Sequence, residues 1–492
     1  MGMQQYCYLR VLVLLSICCV PIVYSASNIT TKGTELVDDV GRVVVLRGLN
    51  LPINAKMAPF EPLKDKKALS RLQTLPLYGA SIARVLFTWE AFEPERGQYN
   101  LDYLNYYLTL VETLYSQGIL TIVDMHQDFY SRWLNLGCGE GFPRWAILVD
   151  PILQKNPWNG PTCVAWILQG PFDVASKLNW KLFYAGENGV RDRFLDMWEY
   201  LAKTFAKNPA VIGYDILNEP YGDEVNEIGP LYEDAAKRIR KYDQNAILFI
   251  EPQIYKGAGS KTNLPQPTFS NYVMAFHYYG QTRDPHKVIV SSFEEALTVW
   301  TNQTEAWDVP MFFGEFGANT DKNLDNADFQ APNYISMFYD ELDARLLGGT
   351  QWGWTDDYND KTKDGWNSEN FSIVDQRRNL RSNFAVRPYP KAIAGIPGQF
   401  KVDSIDKVMQ LSWEVTDATL AAGAASGGRG ATTVLFAPIQ GFFAVPHAEQ
   451  LDIQVTPNAG LTCSYSTDWL TFNCLASQAG SYTLIIQPQQ LA

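Results

Sequence analysis

The sequence predicts a (β/α)8 barrel followed by a small antiparallel β-sandwich. Three observations carry this. From about residue 33 to 385, short apolar runs alternate with amphipathic helical stretches, the pattern of a parallel sheet covered by helices. After Arg387-Pro388-Tyr389-Pro390 the helices stop and strand-like runs follow one another. Polar and acidic residues recur just beyond the C-terminal ends of the predicted barrel strands, where barrels of this kind place their active sites.

The barrel strands are read at Val43–Leu51, Ser81–Phe87, Leu120–Asp124, Val211–Leu217, Ala246–Ile250, Val273–Phe276, Val309–Gly314 and Gly349–Trp354. Each is short, mostly apolar and rich in β-branched residues, as strands buried on both faces are. Helical patterns lie between them at Asp102–Gln117, Arg191–Lys207 and Leu231–Tyr242. Gly118 and Asn208-Pro209 supply stop signals for the first two. The stretch from Gln127 to about Gly189 is too long for an ordinary βα loop. It carries Trp133, Trp145, Trp158 and Trp166. Its tryptophans suit one wall of an apolar channel beside the barrel mouth. In the tail, Val408–Val415, Thr432–Ala437, Leu451–Thr456 and Tyr482–Gln487 read as strands. The Ala/Gly-rich Ala421–Ala431 reads as a flexible loop. The domain division is therefore 1–25 as a targeting segment, 26–385 as the barrel and 386–492 as the sandwich.

Residues 1–25 read as a cleaved secretory signal: Arg10 is the one charge, Val11–Val23 is apolar, and Val23-Tyr24-Ser25 precedes the expected cleavage site. The predicted location is secreted or lumenal, extracellular or lysosomal. Cys7, Cys18 and Cys19 leave with the signal, and Cys138, Cys163, Cys463 and Cys474 remain. Four cysteines in an oxidising compartment suggest two disulfides. Three pairings exist, and proximity in sequence favours Cys138–Cys163 and Cys463–Cys474. Sequons stand at Asn28, Asn302 and Asn370, the expected glycosylation sites.

Composition narrows the function. Hydrophobic residues make up 46% and charged residues 19%, which is globular rather than disordered. A formal charge of −13 repels phosphate backbones and speaks against a nucleic-acid partner. Only 4 His and no CxxC pair speak against a dedicated zinc site. Aromatic residues are 13%, including 14 Trp and 26 Tyr; flat apolar rings suit the faces of sugars.

Taken strand by strand, the mouth gathers Arg84, then Asp124-Met125-His126-Gln127-Asp128, Asn218-Glu219-Pro220, Glu251, His277-Tyr278-Tyr279, Glu315, and Trp352 with Trp354. Glu219 and Glu315 follow strands three βα units apart, a placement that lets two carboxylates face across a cleft. Glycoside hydrolysis needs such a pair, one protonated and one ionised. Glu219 is expected to be the acid/base and Glu315 the nucleophile. Arg84 and Tyr279 orient Glu315, Asn218 reaches the sugar 2-hydroxyl, and His126 and His277 bond the sugar or position the glutamates. Glu251 is expected to be a structural partner.

The ordered set Arg84, Asp124-Met125-His126, Asn218-Glu219-Pro220, His277-Tyr278-Tyr279, Gly314-Glu315-Phe316-Gly317 and Trp352 resembles family 5 glycoside hydrolases across about 350 residues. Within that family it is most similar to endoglycoceramidases. Leu46-Arg47-Gly48-Leu49-Asn50, Asp128-Phe129-Tyr130-Ser131-Arg132 and Gly141-Phe142-Pro143-Arg144-Trp145-Ala146 carry that closer likeness. The resemblance implies a retaining double displacement with no metal or organic cofactor. It implies a glycosphingolipid substrate, glycan plus ceramide, cut between its two halves. It further implies that Lys56 and Asp128 contact sugar and that Trp352 is the strand-8 tryptophan. Burying an acyl chain yields about 0.8 kcal/mol per CH₂, and association with a membrane surface is expected. The alternatives at this stage are a β-glucosidase or galactosidase on monohexosyl ceramide, a β-glucan endoglucanase, and an inactive glycolipid-binding barrel.

Overall fold

Eight parallel strands close on one another, most of them too apolar to leave either face wet. In the computed structural model, which describes residues 29–151, 173–280, 293–320 and 330–489, three short strands come first: β1 (Ile29–Lys32), β2 (Glu35–Asp38) and β3 (Val43–Val44). The barrel strands follow as β4 (Arg47–Leu51), β5 (Ile82–Phe87), β6 (Leu120–Met125), β7 (Val211–Asp215), β8 (Ile247–Ile250), β9 (Tyr272–Tyr278), β10 (Met311–Phe316) and β11 (Gly348–Gln351). They close in the order β10-β11-β4-β5-β6-β7-β8-β9. Leu46, Ile82, Ile122, Ile212, Phe249, Val273 and Phe312 fill the interior, so the barrel is a packed core and not a pore. Two glycines let neighbouring strands approach. A Cβ on Gly48 would sit 1.7 Å from the Ile82 carbonyl oxygen, and one on Gly213 would sit 2.0 Å from that of Ile247.

The expected helices form at Leu101–Ser116, Val190–Phe205 and Gly229–Ile239. The first is capped by Asn100, whose side chain accepts from the Tyr103 N–H.

Eight further strands complete the tail: β12 (Tyr389–Ile393), β13 (Ile396–Asp403), β14 (Val408–Val415), β15 (Thr432–Phe436), β16 (Leu451–Thr456), β17 (Leu461–Ser466), β18 (Thr471–Ala476) and β19 (Gly480–Pro488). They form a four-stranded sheet, β13-β14-β19-β16, and part of a seven-stranded one, β1-β2-β3-β12-β15-β18-β17. The two enclose a core that includes Phe400, Leu411, Trp413, Phe436, Phe472 and Leu484.

The division at residue 385 needs one correction. Ile29–Val44 lies in the sandwich sheet, since β3 pairs with β12 through Val44↔Ala392 and Val43↔Ile393. Strands of four, four and two residues cannot stand alone, and β12 offers them an edge. The run expected as one strand at Val43–Leu51 therefore breaks in two, one part for each domain. Ala421–Ala431 is also corrected from a loop. Asp417–Ala425 is a helix capped by Thr416, because alanine forms helix and a capping box starts it.

The sandwich is fastened to the N-terminal face of the barrel. The Tyr389 hydroxyl donates to the Gly79 carbonyl at 2.8 Å. Arg387 and Arg47 grip Asp343 at 2.7 and 2.6 Å, and Trp469 lies against Gly118.

The Cys463–Cys474 disulfide is present between β17 and β18. Cys138 is disulfide-bonded, while Cys163 lies outside the described residues, as do Asn28, Trp158, Trp166 and the 1–25 segment. Asn302 is exposed on its helix. Asn370 is not a glycan acceptor in this fold. It is fully buried, its Nδ2 donates to Thr320 Oγ1 at 3.1 Å and its Oδ1 accepts from Tyr358. Among the described residues, no helix is long and apolar enough to cross a membrane.

Candidate active site

Arg84 on β5 organises the barrel mouth. It is fully buried, and its guanidinium donates to Asp215 (2.8 Å), Glu315 (2.8 Å), Asp124 (2.9 Å), Asn218 (2.9 Å), Asn50 (3.1 Å) and Glu251 (3.2 Å). Four carboxylates on four strands or strand ends are thereby drawn toward one rigid fork, which suits a guanidinium and no other side chain.

Glu315 lies within β10, buried, and takes a second hydrogen bond of 2.7 Å from the Tyr279 hydroxyl. Glu219 lies beyond β7 and keeps 18% of its side chain exposed. Its backbone has φ 40°, in the left-handed region that side chains rarely adopt. Side chains from both flanks hold it there. Gln127 Nε2 donates to the carbonyls of Asn218 and Glu219 at 2.7 and 3.0 Å, and the Glu219 N–H donates to Glu251 at 2.9 Å.

His277 stands between the two glutamates. Its Nδ1 is 3.1 Å from Glu219 and 3.6 Å from Glu315, and its Nε2 is 3.2 Å from Glu251. Carboxylate oxygens of Glu219 and Glu315 and the imidazole all fall within 4.8 Å of one another. Burial alone would lower the His277 pKa, but the Glu251 and Glu315 carboxylates and the hydrogen bonds raise it well above the ordinary value, which favours the protonated ring. Burial pushes Glu315 up, yet the His277 and Arg84 cations prevail and hold it well below the usual carboxylate range. For Glu219, burial raises the pKa; the His277 contact opposes this while Glu315 and Glu251 add to it, and the net shift is upward. The two glutamates are thus driven apart, one toward ionisation and one toward protonation.

A second cluster lies beside this pair. Lys56, in the turn after β4, pairs with Asp128 at 2.8 Å. Its ammonium sits 4.3 Å from the ring of Trp352 and 4.1 Å from that of Trp366. Trp352, after β11, stacks on His126 at 5.3 Å, and His126 Nδ1 meets Asp124 at 2.7 Å. All ten residues expected at the site are therefore brought to one mouth: Lys56, Arg84, His126, Asp128, Asn218, Glu219, His277, Tyr279, Glu315 and Trp352.

Sequence reasoning passed over several neighbours. Glu369 is 3.8 Å from Lys56; burial raises its pKa to about 8 although the Lys56 ammonium opposes the shift. Trp366 and Glu369 come from a long loop after the last strand, where no periodicity marks them. Glu140 is fully buried, 3.9 Å from His126 Nε2, with neither carboxyl oxygen hydrogen-bonded within the described structure. Only its place in the insertion hinted at it. Glu251 holds structure, as expected: it bonds Arg84, His277 and the Glu219 backbone.

His126, Asp128 and Glu140, and likewise Glu219, His277 and Glu315, bring ligand-type atoms together. In the first group the Lys56 ammonium already faces Asp128; in the second the His277 cation lies between the glutamates. A metal ion at either place would meet a fixed positive charge. Of the tryptophans expected to wall a channel, Trp133 and Trp145 are half-buried against the barrel's outer core, and Trp158 and Trp166 lie outside the described residues. Trp145 donates to the Glu93 carbonyl at 2.8 Å and packs edge-on against Trp89.

A closed parallel barrel with two opposed glutamates of divergent acidity, and a sandwich fastened beneath it, defines a glycoside hydrolase of the two-carboxylate kind. The cellulase model of glycosyl hydrolase family 5 matches residues 41–358, and the model of the family 5 C-terminal domain matches residues 387–486. The chain belongs to glycoside hydrolase family 5, whose enzymes retain anomeric configuration. It is similar to an endoglycoceramidase of Cyanea nozakii, 26% identical over 444 residues, covering 79% of this chain and 81% of the relative. It is likewise 26% identical over 415 residues to endoglycoceramidase I of Rhodococcus hoagii, covering 77% and 76%. Among solved structures, endo-glycoceramidase II from Rhodococcus sp. in its ganglioside GM3 complex superposes with a TM-score of 0.70. It is 23% identical and covers 93% of this chain and 100% of that one; at that identity the likeness concerns the fold.

Proposed function

We propose that this family 5 hydrolase is a retaining endo-glycosidase that cleaves the β-glycosidic bond between the oligosaccharide and ceramide of glycosphingolipids. One observation carries the mechanism: oxygens of Glu219 and Glu315 lie within 4.8 Å across the His277 cation. Carboxyl groups about 5–5.5 Å apart suit double displacement, whereas inverting enzymes leave room for a water.

Ionised Glu315 attacks the anomeric carbon while protonated Glu219 gives its proton to the departing ceramide oxygen. A covalent glycosyl-enzyme forms. Glu219, now a base, takes a proton from water, which attacks the same carbon and frees Glu315. Arg84 and the Tyr279 hydroxyl keep the Glu315 carboxylate aimed. Asn218 Nδ2 spends one hydrogen on the Gln127 carbonyl at 2.9 Å and has a second for the sugar 2-hydroxyl. Lys56, Asp128, His126 and Trp352 present charge, hydrogen bonds and a flat ring to the glycan.

The glycosphingolipid half of the reading is supported by relatives named endoglycoceramidase that align over about four-fifths of the chain. The same reading places the protein in a secreted or lumenal compartment, working at a membrane surface. The Cys463–Cys474 bond fits that compartment, and mass spectrometry of the mature chain tests it through a start near Ala26.

Incubation with a ganglioside, glucosylceramide and a soluble β-glucan tests the activity. Intact oligosaccharide plus ceramide from the ganglioside is the expected result; cleavage of β-glucan alone would sink the proposal. Glu219→Gln should lose about 10²–10⁴-fold in kcat on glycolipid. With lactosyl fluoride, whose leaving group needs no proton, the same variant should accumulate a lactosyl-enzyme visible as a mass increment.

A further inference from the structure

Protonation of the leaving oxygen by Glu219 puts the departing half of the substrate on the Glu219 side of the cleft. Two tyrosines stand there. Tyr221 lies two residues beyond Glu219, and Tyr255 belongs to the turn Ile254–Ala258 after β8. Their rings meet edge-on, 6.1 Å between centroids at 89°. The turns that carry them are joined, since the Ile254 N–H donates to the Pro220 carbonyl at 3.0 Å. Glu224 braces the arrangement by accepting from the Gln253 N–H at 3.0 Å. Beneath, Gly257 lies so close to the His277 carbonyl that a Cβ there would sit 2.9 Å from it. The pair is thus tied to both ends of the acid/base machinery.

The two rings are differently placed. Tyr221 is half-buried and packs on the barrel's outer core. Tyr255 is 46% exposed. The Tyr255 phenol is pushed up by burial, by Tyr221 and by the Glu219 carboxyl, so Glu219 lies within electrostatic reach of it. A rigid, braced ring left nearly half open beside a catalytic acid does little for the core. It offers a flat apolar face with a hydroxyl at its rim, at the low entropy cost of two side-chain torsions.

We propose that Tyr221 and Tyr255 form the first aglycone-binding surface, taking the amide- and hydroxyl-bearing head of the sphingoid base as it leaves the sugar. This rests on the glycosphingolipid reading of the site. It puts the lipid contact nearest the reaction on the turns after β7 and β8. The ring faces cover the first methylenes, and the phenol oxygens meet the amide and hydroxyl groups.

The test compares lactosylceramide in detergent micelles with lactosyl fluoride, which carries the same glycone and no aglycone. In Tyr255→Ala the ratio of kcat/KM on lactosylceramide to kcat/KM on the fluoride should fall about tenfold, while Tyr255→Phe keeps most of it. A ratio equal to that of the wild type in Tyr255→Ala, whether both activities hold or both fall together, overturns the aromatic surface. A wild-type protein that hydrolyses the fluoride but leaves lactosylceramide intact overturns the glycosphingolipid reading, and this inference with it. Wild-type turnover of the lipid with an unmoved ratio overturns this inference alone.

Discussion

At the scale of single residues, Arg84 and His277 do what no pattern of acids alone would achieve. Asp124, Asp215, Glu251 and Glu315 all lie on one buried guanidinium. Removing it leaves like charges buried without compensation. Arg84→Met should therefore cost about 3–5 kcal/mol in chemical denaturation, as well as activity. His277 sets the acidity of both glutamates. Activity needs Glu315 ionised and Glu219 protonated, so the rate should fall in acid only below the ordinary carboxylate range and in base above it. Removing a cation raises the pKa of a carboxylate it stabilised. His277→Gln should thus move the acid limb of kcat/KM upward by about one unit or more; an unmoved acid limb would refute the electrostatic role given to the ring. Glu315→Gln should lower kcat by on the order of 10³-fold or more with glycolipid binding retained, measured by turnover and by binding to lactosylceramide micelles.

At the scale of elements, the site depends on where strands end and how closely they lie. Glu219 reaches its position through a left-handed backbone turn held by Gln127 and Glu251, and the turn directs its carboxyl toward Glu315 instead of along β7. The closure that makes the two face each other relies on glycine. A methyl group at Gly48 would intrude on the Ile82 carbonyl at 1.7 Å, so Gly48→Ala should separate β4 from β5. A loss of at least about 3 kcal/mol is expected, read as a lowered melting temperature. At the far end, Cys463–Cys474 joins the edge strand β17 to β18 across 11 residues. Replacing both cysteines by serine should cost about 2–3 kcal/mol of sandwich stability, seen as earlier exchange of the β17 and β18 amides.

At the scale of the whole molecule, the two domains share both ends of the chain. β1–β3 come from before the barrel and complete a sheet whose other strands come after it. Tyr389, Arg387 and Trp469 fasten that sheet to the face opposite the active site. The sandwich is in this sense a foot of the barrel, remote from the glutamates. Ending the chain at residue 385 should leave β1–β3 without β12 and expose the apolar underside of the barrel, where Gly79 meets Phe436. The expected result is aggregation or loss of the cooperative melt, followed by scattering and circular dichroism; a soluble, active truncated barrel would show the foot to be dispensable.

By itself the sequence determined the kind of fold and the ingredients of the site. Runs such as Leu120–Asp124 and Val309–Gly314 are mostly apolar, and the acids, histidines and tryptophan stand at or just beyond the ends of such runs. These are local, periodic signals, and β14 and β16 begin and end where the pattern says they should. What the tertiary structure alone decided depends on contacts between distant segments. It split Val43–Leu51 between two domains, buried Asn370, packed Trp145 edge-on against Trp89, and brought Glu140, Trp366 and Glu369 beside Lys56 and His126. It also set the acidity of Glu219 against that of Glu315. Acidity and partner choice arise from charges and surfaces brought together across hundreds of residues, and no stretch of chain short enough to show a pattern contains both halves of such a contact.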